Sequence, residues 1–410
     1  MDQHRLYRTI QLLSDEKFRT DEELLGYVLE NIIKHEQIPI KGGRIWKLEP
    51  TRGTYRLILQ NGDLDSIKRN FRLRILDYPM FLQLPRKTTI VGTETNKYLI
   101  QKGIKLYSAT GVGEKVRWKG HDLYPYVIGI NADYLKVHMT YALKIIGIAL
   151  TAALKRRQIE TKAKQLELDL DRAREIQKSI LPEHELKFHN YEIYGISIPD
   201  RIVGGDFFDY LQATGDRDRI GLVVGDAASK GLSAAAQALY VSGALRMGIE
   251  FQTKTSTFIG RINQLVNKAF TPEHFVSLVY VELTRTDKGL VLYVNAGHSN
   301  PILLRANSGE AEMLAATGQI IGPFPNEKYR SDFTLMNKGD ILVLYTDGIT
   351  EAFNENREMY GERRLMEKVR EHQARTPKEL CQLVIEDVQK HNRLVEYSDD
   401  KTLVVIKRTK

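Results

Sequence analysis

The sequence predicts an α+β protein in three parts: a small α+β domain over residues 1–153, a helical linker over 154–184, and a larger α+β sandwich over 185–410. Three observations predict this. At 410 residues the chain exceeds what one hydrophobic core usually supports. A helix-period stretch runs from Tyr134 towards Leu181, with Pro182 as its stop. Beyond Pro182 the pattern turns to many short antiparallel strands with two pairs of helices.

The first helix is signalled by Thr20-Asp21-Glu22-Glu23, a capping box with Thr20 at the N-cap and Glu23 three residues on. Leu24, Leu25, Val28, Leu29, Ile32 and Ile33 follow at helical spacing, and Gly42-Gly43 is expected to end that unit. Arg44–Leu48 and Thr54–Gln60 read as a hairpin around Glu-Pro-Thr-Arg-Gly. Residues 68–108 give no clear period. Val112–Lys119 and Leu123–Ile130 read as two further strands around a Gly-His-Asp turn.

The linker carries a heptad. Ile159, Leu166, Ala173 and Ile180 are spaced by seven, and Ala163, Leu170 and Gln177 lie four after the first three. This is a coiled-coil seam, weakened by Ala and Gln at seam positions. The expectation is a parallel homodimer in which two registers lie close in energy, as a signalling linker requires. The competing reading is a helix packed on its own chain.

Strands are expected at Tyr191–Ile198, Phe207–Leu211, Ile220–Val224, Phe275–Leu283, Leu290–Asn295, Pro301–Arg305, Glu312–Leu314, Arg330–Leu335, Asp340–Tyr345 and 402–407. Helices are expected at Leu232–Ile249, Phe258–Phe270, 361–372 and 377–392. There is no internal repeat.

Composition sets limits. Cys381 is the one cysteine, which excludes an internal disulfide framework, fits a reducing cytoplasm, and reads as a small buried hydrophobe. The N-terminus has no apolar signal-peptide core. The most apolar helical stretch, Ala142–Leu154, contains Lys144 and is too short to span a bilayer, so no membrane segment is expected. The net charge is +8, yet residues 179–410 are net acidic, so the basic surplus lies upstream and could mark an anionic partner there. Lys68–Arg74 is the densest basic stretch, but no nucleic-acid motif accompanies it, and a solvated strand face accounts for it.

The chemistry concentrates in 203–231. Asp206 follows a Gly pair, and Asp226 ends the run Gly221-Leu222-Val223-Val224-Gly225. The same device recurs at 341–348, where Asp347 ends a strand, and in reverse at 399–406, where Asp399-Asp400 precede one. Carboxylates at the ends of several apolar strands, without a Cys/His cluster, form a set of hard oxygen ligands suited to Mg²⁺ or Mn²⁺ rather than zinc.

GGDFFD (204–209), GDAASKG (225–231), FVSLVY (275–280), NAGHSNP (295–301), GDILVLYTDGITEA (339–352), MYGERRL (359–365) and SDDKT (398–402) occur in this order. The set resembles the PPM-type metal-dependent serine/threonine phosphatases, nearest to their bacterial SpoIIE/RsbU branch. The resemblance covers about residues 185–408 and implies an α/β/β/α sandwich with two Mn²⁺ or Mg²⁺ ions. It implies metal ligation by Asp206, Asp226 (bridging), the Ala227 carbonyl, Asp347, Asp399 and Asp400, with Asp226 and Asp347 placing a metal-activated water. Two cations would neutralise a phosphate dianion and lower the pKa of that water. Arg201 lies at the offset where other branches grip the substrate phosphate. The bacterial branch often lacks that residue, so Arg201 is a candidate clamp only. Asp209 reads as a turn cap, His298 as a turn-stabilising residue with proton donation to the serine leaving group as its alternative, and Lys230 as an exposed loop charge with attraction of phosphate as its alternative. The branch further implies a phosphoserine protein substrate, a STAS-type anti-sigma-factor antagonist, and a partner-switching output.

The order of elements in 1–153 resembles a GAF-type sensory domain, on pattern alone. It implies a small ligand or regulatory protein held there, and a contribution to the homodimer. A PAS-like sensor and a purely structural dimerisation domain stay open. For the whole chain, a small-phosphoester hydrolase and a non-catalytic partner-binding module are the alternatives to a cytoplasmic protein phosphatase.

Overall fold

The computed structural model describes residues 18–34, 40–63, 65–134, 137–286, 288–393 and 399–410. Ser398 of the last motif, Asp287 between the expected strands Phe275–Leu283 and Leu290–Asn295, and the N-terminal 17 residues lie outside them. The chain forms two compact units, residues 1–165 and 166–410.

The first unit contains α1 (Asp21–Lys34), β1 (Ile40–Glu49), β2 (Thr54–Gly62), β3 (Arg72–Arg74), α2 (Pro79–Lys87), β4 (Thr89–Thr93), α3 (Lys97–Gln101), β5 (Leu106–Val112), β6 (Val116–Trp118), β7 (His121–Leu123) and β8 (Tyr126–Ala132). The long helix α4 (Val137–Ile180) begins in this unit and runs into the second. Six strands make an antiparallel sheet ordered β3-β2-β1-β8-β5-β4. Successive side chains of a strand face opposite sides. Ile45 and Ile128 therefore pack under α1 and the start of α4, with Leu25, Leu29, Leu143 and Ile146. Trp46 and Val127 face the other layer, with Tyr55, Phe81 and Leu99.

Thr20 caps α1 as expected, accepting from the Glu23 N–H at 3.1 Å; the Glu23 carboxylate reaches back to the Arg19 N–H, 2.7 Å. Gly42-Gly43 do not end the helical unit. They lie inside β1, where a Cβ on Gly43 would meet the Leu29 side chain at 2.5 Å, so α1 packs against bare backbone. The predicted strand 112–119 is instead the end of β5 plus the short β6, and Leu123–Ile130 is divided between β7 and β8. A turn at Gly113, with φ +97°, breaks the first of these.

The second unit contains β9 (Glu185–Phe188), β10 (Tyr191–Ile198), β11 (Phe207–Leu211), β12 (Arg219–Ala227), α5 (Leu232–Ile249), α6 (Thr255–Ala269), β13 (Val276–Thr284), β14 (Leu290–Ala296), β15 (Ile302–Leu304), β16 (Ala311–Met313), β17 (Asp332–Leu335), β18 (Ile341–Tyr345), α7 (Asp347–Thr350), α8 (Gly361–Glu371), α9 (Pro377–His391) and β19 (Lys401–Arg408). One sheet is ordered β16-β15-β18-β19-β10-β9 and the other β11-β12-β13-β14-β17.

The continuous apolar runs are explained by burial of both faces. In β12, Leu222 and Val224 face the opposing sheet, where Leu342, Leu344, Val404 and Ile406 meet them. Val223 faces outward onto α5 and α6, with Ala234, Val241 and Ile262. In β18 and β19, Val343 and Val405 face α8 and α9, with Leu365, Leu380 and the buried Cys381. The layers are thus helices, sheet, sheet, helices. Among the described residues no helix is long and apolar enough to cross a membrane.

In α4 the predicted seam divides. Ile159 and Leu166 are exposed, whereas Leu170, Ala173, Gln177 and Ile180 are half-buried within one chain.

Candidate functional site

The strand ends place the acidic residues at one edge of the sandwich. Asp206 precedes β11, Asp226 ends β12 opposite Ser277 of β13, Asp347 opens α7 directly after β18, and Asp399-Asp400 precede β19. Since β18 pairs with β19 and β11 with β12, each sheet brings its own two carboxylate loops together.

Hydrogen bonds of Thr346 and of Asp400 join the two sets, and a backbone contact closes the β18–β19 set. The Thr346 hydroxyl donates to Asp206 Oδ2 at 2.6 Å and accepts from the Thr402 N–H at 3.0 Å. The Asp400 carboxylate accepts from the N–H groups of Asp200 (2.8 Å), Gly205 (2.6 Å) and Asp206 (3.4 Å). The Gly348 backbone touches that of Asp400: a Cβ there would lie 1.9 Å from the Asp400 carbonyl oxygen, so only glycine fits. Gly204 likewise leaves room for the Asp400 carboxylate, 2.4 Å from an added Cβ.

The electrostatics are those of crowded acids. Burial, then the Asp226 charge, pushes Asp206 well above the usual carboxylate range, against the Thr346 hydrogen bond. Burial and the charges of Asp347, Asp399 and Asp400 push Asp226 up to about 7. Asp347 is raised by burial, Glu351 and Asp399. Two cations sit beside them. Lys230 Nζ is 3.8 Å from Asp399 Oδ2, and Lys401 Nζ donates to the Asp399 carbonyl at 3.2 Å. Burial lowers the Lys401 pKa, opposed by Asp200, Asp399, Asp400 and Asp206.

Among the described residues no three His, Cys, Asp or Glu side chains are close enough to close a metal shell. The donor chemistry nevertheless fits a divalent cation. The donors are all oxygen, Asp206 is buried and Asp226 and Asp347 half-buried, and their mutual repulsion is of the kind a bound cation relieves. The residues that would hold it are Asp206, Asp226, Asp347 and Asp399, with the Ala227 carbonyl, which already accepts from the Ser229 N–H at 2.7 Å. Asp400 is engaged in holding the 204–206 loop.

Asp209 is structural, though not as a turn cap. Its carboxylate is buried and takes Arg246 side-on, Nε to Oδ2 at 2.6 Å and Nη2 to Oδ1 at 3.0 Å, with Ser242 at 3.2 Å. His298 is buried, with Nδ1 2.8 Å from Ser277 Oγ and its N–H on Asn295 Oδ1, 2.8 Å. Lys230 is a half-exposed loop charge that forms an ion pair with Asp399. Arg201 is exposed and makes no hydrogen bond or ion pair among the described residues. Sequence reasoning missed Thr346 and Lys401. Each is a polar residue bordering an apolar strand, next to Asp347 or Asp400, and that adjacency was the available signal.

Residues 216–409 match the family model described as stage II sporulation protein E (SpoIIE). The C-terminal half is a SpoIIE-type phosphatase domain. The match includes Asp226, Asp347, Asp399 and Asp400, and Asp206 lies ten residues before it. The chain is 26% identical over 268 residues to protein IcfG of Synechocystis sp., covering 59% of this chain and 42% of IcfG. It is 24% identical over 245 residues to the phosphoserine phosphatase RsbU of Bacillus subtilis, covering 60% of this chain and 71% of RsbU. The chain thus spans less than half of the first of these relatives. Among solved structures, the SiaA-PP2C domain of Pseudomonas aeruginosa superposes with a TM-score of 0.52 at 21% identity, covering 60% of this chain and 98% of that domain. The phosphatase domain therefore has the PP2C-type fold.

Proposed function

We propose that this chain is a cytoplasmic, metal-dependent serine phosphatase acting on a phosphoserine protein, with a STAS-type anti-sigma-factor antagonist as the expected substrate. The observation that carries the proposal is the cluster of Asp206, buried, with Asp226 and Asp347, half-buried, whose pKa values are raised by burial and by neighbouring acids, inside a SpoIIE-type domain. Two divalent cations, Mn²⁺ or Mg²⁺, when bound there would supply the charge that neutralises a phosphate dianion and acidifies a water.

The chain's own residues do the rest. Thr346 fixes the orientation of Asp206, and Asp400 fixes the loop that carries it. Lys230 and Lys401 place positive charge beside the carboxylates, where an incoming phosphate monoester would meet it. Cys381 is buried in an apolar cluster, and burial raises its thiol pKa, so it is no nucleophile.

The first unit is proposed as a GAF-like sensor, supported by its six-stranded antiparallel sheet with α1 and the start of α4 on one face. The linker is proposed to carry its signal in a homodimer. Tyr141, Ile145 and Ile148 are exposed apolar residues spaced by four and three along α4, and Ile159 and Leu166, also exposed, are spaced by seven, as unpaired coiled-coil positions would be.

Phosphate release from a phosphoserine protein and from p-nitrophenyl phosphate, with Mn²⁺ and with EDTA, tests the reading. Wild type should release phosphate from the protein with Mn²⁺ only, and Asp226→Asn should lose at least about a thousandfold. Activity confined to the small ester would favour a small-phosphoester hydrolase. Equal rates in wild type and Asp226→Asn would overturn the mechanism.

A further inference from the structure

The N-terminal unit holds a polar centre that phosphatase chemistry does not use. Arg44 on β1 is a guanidinium with 2% of its surface exposed. Its Nη1 donates to Asn131 Oδ1 at 2.8 Å, across the β1–β8 pair. Its Nε and Nη2 are buried and have no hydrogen-bond partner among the described residues. A buried cation with two orphaned donors is costly, and native proteins meet such donors with a water, an ion or a ligand.

The chemistry of that edge is shown elsewhere in the same molecule. Arg246, Arg305 and Arg364 each present Nε and Nη2 to one carboxylate: Asp209, Glu312 and Asp387. Side-on pairing of this kind is the fork that guanidinium offers a carboxylate. Arg44 presents the same fork, and no carboxylate of the described residues fills it.

Glu94 supplies the second pole. It is buried, and its Oε1 accepts from the Tyr78 hydroxyl (2.9 Å) and the N–H groups of Thr95 and Asn96 (both 2.8 Å). Its Oε2 accepts nothing among the described residues. Arg44 and Glu94 line one cavity of about 40 Å³, walled otherwise mainly by apolar groups such as Trp46. They are near enough for the Glu94 charge to support that of Arg44, against the burial that lowers its pKa to about 10. A space of that size takes a few heavy atoms. The ligand is therefore small, with an anionic and a cationic group close together and at most a short aliphatic side chain.

We infer that this cavity binds a small aliphatic α-amino acid, with its carboxylate on the Nε/Nη2 edge of Arg44 and its ammonium on Oε2 of Glu94. The inference stands apart from the phosphatase reading, because its readout is binding.

Gly129 of β8 gives a clean test variant. It lines the cavity, and a Cβ added there meets no atom within 4 Å. Gly129→Val thus adds bulk at the cavity wall with its Cβ clear of every neighbour, at a strand position that favours valine. Calorimetric titration of the full chain with glycine, L-alanine, propionate and ethylamine reads the outcome. One of the two amino acids should saturate, and the single-charge analogues should bind at least about tenfold more weakly. Gly129→Val and Arg44→Lys should each lose at least about tenfold, with the thermal midpoint of Gly129→Val at the wild-type value. Absence of binding by either amino acid at about 10 mM would overturn the inference, as would equal binding of propionate. Undiminished binding by Gly129→Val would overturn it too, whether or not Arg44→Lys folds.

Discussion

Gln177 holds Gly204 by both atoms of its side-chain amide. Its Nε2 donates to the Gly204 carbonyl at 2.8 Å, and the Gly204 N–H donates to its Oε1 at 3.3 Å. The last turn of α4 therefore grips the loop that presents Asp206, while Asp400 grips the same loop from the β19 side. The seam glutamine that weakens a coiled coil has a partner inside its own chain.

Loosening that grip should weaken the site without unfolding the domain. Gln177→Ala is expected to raise the Mn²⁺ concentration needed for half-maximal phosphate release by about three- to tenfold, a coupling of ordinary size. The thermal midpoint should change little. An unaltered Mn²⁺ dependence would show that the contact carries no information to the site.

Arg246 and Asp209 should respond unequally to truncation. The Asp209 side chain is 2% exposed and that of Arg246 44%. Arg246→Ala strands a buried carboxylate and should cost about 3–5 kcal/mol. Asp209→Ala leaves a guanidinium that can reach water and should cost about 1–2 kcal/mol. Denaturant midpoints in EDTA measure both, and the opposite order would contradict the assignment. Arg246 also donates to the Ile180 carbonyl at 2.5 Å, so its loss frees the end of α4.

His298 should make the fold acid-sensitive. Burial lowers it to about 4, outweighing the nearby Tyr345 main chain, and its Nε2 has no hydrogen-bond partner among the described residues. Its folded pKa is below the unfolded value of about 6.5, so the unfolded chain binds the extra proton. The stability it contributes is complete above about pH 6.5 and is lost as pH falls towards about 4, a change of about 3 kcal/mol. The difference in unfolding free energy between wild type and His298→Gln should shrink across that window. A constant difference would show that His298 titrates normally.

The exposed face of α4 should set the oligomeric state. Ile159 and Leu166 are 58% and 61% exposed. Replacing both with Asp should convert a dimer to monomers in sedimentation velocity, with the phosphatase domain still folded. A wild-type chain that sediments as a monomer at micromolar concentration would remove the dimer from the proposed mechanism.

Much of the second unit was legible because both sheet faces are buried, which turns its strands into unbroken apolar runs such as Ile341–Tyr345. The bounds of Tyr191–Ile198, Phe207–Leu211 and Leu232–Ile249 coincide with those read from the residues alone. The acids were legible because each interrupts or borders such a run. The β9 strand was missed, since Glu185–Phe188 is an edge strand with only Phe188 buried. The 68–108 stretch was opaque for a related reason. Its elements, Arg72–Arg74, Pro79–Lys87, Thr89–Thr93 and Lys97–Gln101, are too short to establish a period, and tertiary contacts at Phe81 and Leu99 hold them. Roles that depend on side-chain reach, such as Thr346 on Asp206 and Arg44 on Asn131, have no sequence period at all.

The backbone contact between Gly348 and Asp400 has a consequence for how this domain can change. The distance between the Asp347 and Asp399 loops is set by main chain against main chain, so it does not depend on the identity of any side chain in the sheets behind. Core residues of β18 and β19 can be exchanged among aliphatics with the acids kept in step, whereas a single methyl group at position 348 would drive the two loops apart. Tolerance to substitution should therefore be broad across the body of the domain and should vanish at one hydrogen-sized gap.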